Sequence, residues 1–402
     1  MEKCRWDSLQ YLYERLGSVS LVNHENAKFY FDESNNIRTL YITDKVETNI
    51  STYDINKNFI LGGLMTNDKN TAEDISLLRN KLHLQKSILE IKFNHICAGK
   101  SKTFKDCLSS KELKKILEWI FNSNYYIHFI NIDLLYWSIV DIVDELININ
   151  EKDTFIAINH REIKNVLFLI VKRNLKVFIN LIYKFKYPNV ESESIEGFLN
   201  ELVGFIKKNS ETSKYDKYRD LILRLTDYLE MAKKSSELVF LQNNVTKEKK
   251  SKIKENHKCI CSSILIENFA HFYIDFIYKY NKAELIFDRE DSLVELIDQG
   301  NYRSNTDINK HYRFEDSKSN LYLQFSDVMM GLLARLFEFL TITSINQLED
   351  FYESLNKVQM TNLSLLFGLI KKTDNFCPIL TNLVLPDDTV KKYLYLGSLT
   401  NG

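Results

Sequence analysis

Three aspartates of this chain share one setting: each closes a nearly continuous apolar run, in Phe29-Tyr30-Phe31-Asp32, Phe129-Ile130-Asn131-Ile132-Asp133 and Leu285-Ile286-Phe287-Asp288. Apolar runs that do not alternate indicate strands covered on both faces, as in the middle of an α/β sheet. Ligand sites of such sheets gather at strand ends. Carboxylates that meet there repel one another and are tolerated only when protonated or bridged by a cation. Mg²⁺ or Mn²⁺, hard ions that prefer oxygen ligands, are the matching cofactors.

A further carboxylate, Asp327, falls in a strongly apolar segment from about 320 to 341. On a helical wheel Asn320, Gln324, Asp327, Gly331, Ala334 and Glu338 form one narrow seam of small or polar residues. Such a seam faces either water or a particular partner. Gly331, one turn after Asp327, favours the partner, because glycine costs about 1 kcal/mol of helix propensity and permits close approach. Glu90, in Glu90-Ile91-Lys92, reads as a ligand or as the ion-pair partner of Lys92. Asp133 and Asp316 are further candidate ligands, and either could instead cap the helix that follows it. Lys92 either meets a phosphate or is solvated. His95, His128, His271 and His311 lack metal-ligand spacing and read as structural, and no Gly-x-Ser-x-Gly or Cys-His signature offers a side-chain nucleophile.

These carboxylates need a large core to hold them, and the composition supplies it. Of 402 residues 45% are hydrophobic and 12% aromatic, which excludes a disordered chain, while 3 Pro and 11 Gly disfavour folds built on many tight turns. The expectation is an α/β fold, a mixed sheet flanked by helices. With 53 basic and 54 acidic residues no global field steers the protein onto nucleic acid, so such contact requires a local patch. The six cysteines Cys4, Cys97, Cys107, Cys259, Cys261 and Cys377 show no paired CxxC spacing and read as reduced, partly buried thiols. Residues 1–16 mix charges among apolar residues and do not form a signal peptide, and no uncharged apolar run reaches the roughly 18 residues a membrane span requires. No membrane partner is expected, and the cytoplasm is the default compartment.

Along the chain, residues 27–32 and 40–42 read as a hairpin and 59–65 as a third strand whose Gly62-Gly63 pair marks a bulge or a close backbone approach. Residues 72–89 and 110–121 follow a helical period, 125–133 returns to strand, and 134–147 is again helical. The sheet core is expected in two parts, 1–150 and 258–341, with an all-helical insertion at 151–257 between them. The second part opens with a helix near 263–280 and a strand at 283–287, and 342–402 reads as a helical C-terminal extension. The insertion closes in Lys247, Lys249, Lys250, Lys252, Lys254 and Lys258, a run that reads as a solvated linker or, alternatively, as a phosphate-binding patch.

Asp32-Glu33-Ser34, the Phe59-Ile60-Leu61-Gly62-Gly63 strand, Glu90-Ile91-Lys92, the strand ending at Asp288, and Asp316-Ser317 ahead of Leu323-Gln324-Phe325-Ser326-Asp327 and Gly331 occur in one order. In that order the chain resembles the bacterial domain-of-unknown-function 3800 family over roughly residues 27–135 and 263–341. Asn35 stands where that family has glycine, Ser326 where it has alanine, and the insertion at 151–257 is a larger departure. The resemblance implies a ribonuclease-H-like fold and a divalent-metal-dependent nuclease that hydrolyses RNA or DNA by a two-metal mechanism. Asp32 would bridge the ions, with Asp288, Asp327 and Glu90 completing the shell and Asp133 and Asp316 as further candidates. Proteins resembling the family occur in mobile elements and antiphage loci, which implies a defence setting. The competing expectation is a non-catalytic ribonuclease-H-like interaction component that docks a protein partner through the insertion. A metal-dependent phosphoesterase acting on a nucleotide is a third.

Overall fold

A strand such as Phe29-Tyr30-Phe31 is stable only when both of its faces are covered, and the architecture around it provides two covers. The structure, a computed structural model, describes residues 26–43, 45–50, 55, 57–67, 75–85, 87–97, 103–150, 152–233, 238, 263–299 and 311–400. Among these residues the chain forms strands β1 (Lys28–Ser34), β2 (Leu40–Ile42), β3 (Phe59–Thr66), β4 (Tyr125–Ile132), β5 (Ser263–Ile266), β6 (Glu284–Asp288), β7 (Tyr312–Glu315) and β8 (Thr381–Val384). The chain divides into two units. One comprises Tyr13–Asn36, Asn56–Asp133 and Phe269–Gly402, and the other Met1–Leu12, Ile37–Ile55 and Leu134–Asn268.

The first of these units holds a six-stranded mixed sheet in the order β7-β6-β1-β3-β4-β8. β1 lies parallel to β6 and antiparallel to β3, β3 is antiparallel to β4, and the pairs β6–β7 and β4–β8 are parallel. Every strand except β3 therefore points the same way. Tyr30, Ile60, Leu64, Ile127, Phe129 and Ile286 face a core shared with the helices Lys111–Asn122, Leu321–Ile342 and Lys357–Phe376. The alternate residues Phe29 and Phe31 pack on the opposite side against Tyr280 and Phe276, at ring separations of 4.5 and 5.0 Å, at and beside the helix Ala270–Lys279. Each of these fully buried aromatics contributes about 2–3 kcal/mol. The fold is thus α/β, a mixed sheet with helices on both faces.

The glycine pair of β3 serves close approach, and the β1–β3 register carries no shift. A Cβ at Gly62 would lie 2.1 Å from the His128 carbonyl oxygen, and one at Gly63 would lie 2.2 Å from that of Tyr30 and 2.4 Å from Ser326 Oγ. Between the Phe29–Met65 and Asp32–Gly62 pairs the ladder is completed by side chains. His128 Nε2 donates to the Tyr30 carbonyl at 3.0 Å, and Leu64 N–H donates at 3.1 Å to Ser326 Oγ, which itself lies 3.4 Å from that carbonyl.

Four expectations change, the first being that the stretch read as helical at 72–89 forms a helix only over Ile75–Lys81 among the described residues. The hairpin between 27–32 and 40–42 does not form, because β1 takes β3 as its antiparallel partner while β2 pairs with β5. The chain leaves β1 through two left-handed residues, Asn35 (φ 58°) and Arg38 (φ 64°), and the tight two-residue turn of a hairpin is replaced by a wider exit. Residues 263–266, read as the start of a helix, are strand β5, and the helix begins at Ala270. The C-terminal stretch, read as wholly helical, contains β8 on the edge beside β4.

The other unit carries β2, β5 and the helices Leu134–Ile149, Thr154–Arg173, Leu175–Lys184, Ile195–Asn209 and Arg219–Ala232. Asp153 caps the second of these helices, accepting from Phe155 N–H and from Tyr228 Oη at 2.8 Å each. No helix among the described residues is long and apolar enough to cross a membrane. Cys97, Cys107 and Cys377 are buried thiols outside any disulfide. Cys4, Cys259, Cys261, residues 1–16 and the Lys247–Lys258 run lie outside the described residues.

Candidate metal centre

In the parallel pairing of β1 with β6, Phe31 stands opposite Phe287. The residues that follow, Asp32 near the end of β1 and Asp288 at the end of β6, therefore lie side by side on neighbouring strands with backbones about 4.8 Å apart. Alternation along the strands sends both side chains to the face of the helix Leu321–Ile342, where Tyr30 stacks on Tyr322 at 4.6 Å. Asp327 sits on that helix, one turn after Tyr322 and Leu323. Three carboxylates from three elements thus meet on one side of the sheet.

Asp32 is 6% exposed. Its Oδ1 accepts the Glu33 N–H at 2.7 Å, while Oδ2 is buried without a hydrogen-bond partner. Burial pushes this carboxyl well above the usual range, and Glu33, Asp327 and Asp288 add to the effect while Lys92 opposes it. The Asp327 carboxyl is also raised, by burial first, against the Phe93 N–H that donates to its Oδ2 and against Lys92. Both groups are held in conditions that a bound cation would relieve.

The segment 90–93 closes the site from above the helix. Ile91 N–H donates to Gln324 Oε1 at 2.9 Å, and Gln324 Nε2 donates to the Ser317 carbonyl at 2.8 Å. The Phe93 ring fills the space over Gly331, where a Cβ would lie 2.4 Å from Phe93 Cγ. The small and polar seam at Gln324, Asp327 and Gly331 is therefore explained by this segment packed along it. Farther along the seam Glu338 pairs with Arg335 at 2.8 Å.

Lys92 projects from this segment into the carboxylates. Its Nζ lies 2.8 Å from Glu90 Oε1, 3.4 Å from Ser317 Oγ and 3.8 Å from Asp288 Oδ2. Ser317 completes the contact, its hydroxyl donating to Glu90 Oε1 at 2.8 Å and its N–H to Asp288 Oδ1 at 3.2 Å. Burial alone would lower the ammonium's pKa, but the Glu90 hydrogen bond and the charges of Asp32, Asp327 and Asp288 outweigh it and hold it above the usual lysine range. For Glu90, burial is outweighed by Lys92 and Ser317, and its carboxyl lies below the usual range.

Asp32, Glu90, Asp288 and Asp327 are thus brought together, and two other candidates are not. Asp316 caps the short turn after it, accepting from Lys318 N–H at 2.9 Å. Asp133 lies one residue past β4, four residues beyond Phe129, which pairs with Gly62, itself the partner of Asp32. That places it about 13 Å along the strands and about 10 Å across them from Asp32. Its N–H donates to the Val384 carbonyl at 3.1 Å.

Other residues belong to the site or its surroundings without having been read from sequence as candidate ligands. Ser317 and Gln324 fix the 90–93 segment, as above. Glu33, next to Asp32 and so on the opposite face, accepts from Tyr273 Oη at 3.0 Å. Burial and the nearby Glu290 push its carboxyl up to about 7, against hydrogen bonds from Tyr273 and Asn36. Asn58 and Asn131 are buried with neither amide atom satisfied. The signal for Asn131 was present, an amide inside the apolar run Phe129-Ile130-Asn131-Ile132.

Among the described residues no three His, Cys, Asp or Glu side chains form a ready-made coordination shell. The donor set nevertheless suits a hard cation: it consists of oxygens alone, and the buried Oδ2 of Asp32 lacks any hydrogen bond. Comparison of the chain with protein-family models, curated proteins and solved structures finds no match.

Proposed function

We propose that the protein is a divalent-metal-dependent nuclease that hydrolyses phosphodiester bonds of RNA or DNA, with Asp32, Asp288, Asp327 and Glu90 as the carboxylates that hold Mg²⁺ or Mn²⁺. The observation that carries this reading is the unpartnered, buried oxygen of Asp32, set beside the carboxylates of a neighbouring strand and of a facing helix. A mixed sheet with Asp32 on an interior strand and Asp327 on the helix above it supports a ribonuclease-H-like core of the kind the 3800 family resemblance implies. When bound, such ions supply a nucleophilic water and neutralise charge developing on the phosphate. The chain's own part is to hold the carboxylates on rigid elements. Asp32 and Asp288 are fixed by strand register, and Asp327 by its bond to the Phe93 N–H.

The second reading, a scaffold without catalysis, draws on Lys92, which already pairs with Glu90 and approaches Asp288. Purified wild type and Asp32→Ala assayed on single- and double-stranded RNA and DNA, with Mg²⁺, Mn²⁺ or EDTA, separate the two. Cleavage that needs the metal and disappears in Asp32→Ala supports the nuclease. No cleavage on any substrate under any of these conditions supports the scaffold.

A further inference from the structure

The feature that the nuclease reading does not absorb is a cation already present among the carboxylates, tethered to the chain. Lys92 Nζ makes one close ion pair with Glu90, at 2.8 Å, and lies 3.8 Å from Asp288. A solvated lysine on a loop has no reason to adopt this pose, since it loses side-chain freedom worth up to about 2 kcal/mol. The pose is built from several sides. Ser317 bonds both Glu90 and Asp288, Gln324 anchors Ile91 one residue earlier, and Phe93 one residue later is held by Asp327 and seated over Gly331. Despite this, Lys92 leaves Asp32 Oδ2 unpartnered, so its single charge offsets part of the charge of the four carboxylates without saturating their oxygens.

We infer that Lys92 is an internal counter-ion that holds the carboxylates together when no metal is bound and must be displaced from Glu90 and Asp288 for Mg²⁺ or Mn²⁺ to bind. The inference rests on the metal-centre reading above and adds its regulation. The ammonium and the metal ion compete for the same oxygens, so occupancy by one raises the apparent dissociation constant for the other. The 90–93 segment is the part that must yield. Lys92, 35% exposed at its side chain, has solvent on one side into which to withdraw. A seat filled by lysine for nine-tenths of the time weakens apparent metal affinity about tenfold.

The test measures Mn²⁺ binding to the full chain, by loss of the free-ion electron paramagnetic resonance signal and by titration calorimetry, without any nucleic acid. Four proteins are compared: wild type, Lys92→Met, Lys92→Arg and Asp32→Ala, each checked for native secondary structure. The expected result is that Lys92→Met binds about tenfold more tightly than wild type, Lys92→Arg shows no such gain, and Asp32→Ala loses binding. A Lys92→Met affinity equal to or weaker than wild type, while binding still depends on Asp32, overturns the counter-ion role and leaves the metal centre standing. Absence of Mn²⁺ binding in both wild type and Lys92→Met removes the metal centre itself, and this inference with it. Binding that appears only in Lys92→Met supports both.

Discussion

Replacing Asp32 by asparagine should stabilise the metal-free protein and abolish its response to metal. The perturbation keeps the size and shape of the side chain and removes one negative charge. In the wild type that carboxyl is buried, has one oxygen with no partner, and has its ionisation opposed by burial, Glu33, Asp327 and Asp288 and favoured by Lys92. Asparagine leaves a polar atom at that position, so the gain comes from removing an acid whose ionisation burial and neighbouring carboxylates oppose; each pH unit of such opposition costs about 1.4 kcal/mol, and relief of about 2 kcal/mol is the expected gain at neutral pH. For a unit of this size that corresponds to a rise in melting temperature of about 4–8 °C. In EDTA the variant should therefore melt later than the wild type. Metal at a hundredfold excess over its dissociation constant stabilises a binding protein by about 2.7 kcal/mol, or about 5–11 °C here. The wild type should gain this increment and the variant should not. Scanning calorimetry of both proteins in EDTA and in Mn²⁺ measures all four values. A variant that melts earlier than wild type in EDTA, or that keeps the full metal increment, refutes the reasoning that Asp32 is a strained ligand.

Two further outcomes are expected. Gly331→Ala should destabilise the protein by about 1–3 kcal/mol by urea unfolding, even though alanine gains about 1 kcal/mol of helix propensity, because its Cβ would meet the Phe93 ring at 2.4 Å; an unchanged or raised midpoint would show that the ring moves freely. His128, whose burial lowers its pKa from 6.5 to about 3, should make stability fall with acidity: between those values the unfolded chain binds the proton and the folded one does not, so each pH unit below 6.5 costs about 1.4 kcal/mol. Glu33, raised to about 7, titrates with the opposite sign, so the quantity to measure is the stability difference between wild type and His128→Phe, which should shift against the wild type from pH 7 to pH 5. A difference independent of pH would contradict this.

The site was legible in the sequence where a residue's setting is local. Asp32 and Asp288 end unbroken apolar runs, and Asp327 lies on a seam whose one-turn spacing to Gly331 marks a close neighbour. What the sequence could not convey is which strands pair. Asp32 and Asp288 meet because β1 and β6, about 250 residues apart in the chain, share a register, and nothing near either residue encodes it. Asp133 carries the same local signature as the other two aspartates but lies two strands away from β1, so an identical pattern leads to a different place. β8, four residues of Thr-Asn-Leu-Val, is too short for alternation to distinguish it from the helices around it. The expected hairpin fails because the left-handed residues are Asn35 and Arg38, three apart in the chain, and not an adjacent pair that would close a tight turn.

The Ser326 hydroxyl, described above as completing a rung between β1 and β3, also donates to the Tyr322 carbonyl of its own helix at 2.8 Å. It therefore acts as a stop between the helix that carries Asp327 and the strand that carries Asp32, since neither slides past the other without breaking the Leu64 and Tyr30 contacts. The spacing of these two carboxylates is consequently fixed when the chain folds, as the jaw opening of a calliper is fixed by its screw. Glu90 and Lys92 ride on a segment held by two hydrogen bonds to helix side chains. In the proposed metal centre, adjustment to ions of different radius would come from that segment, so that substitutions within residues 90–93, more than at the aspartates, would change the preference among divalent ions.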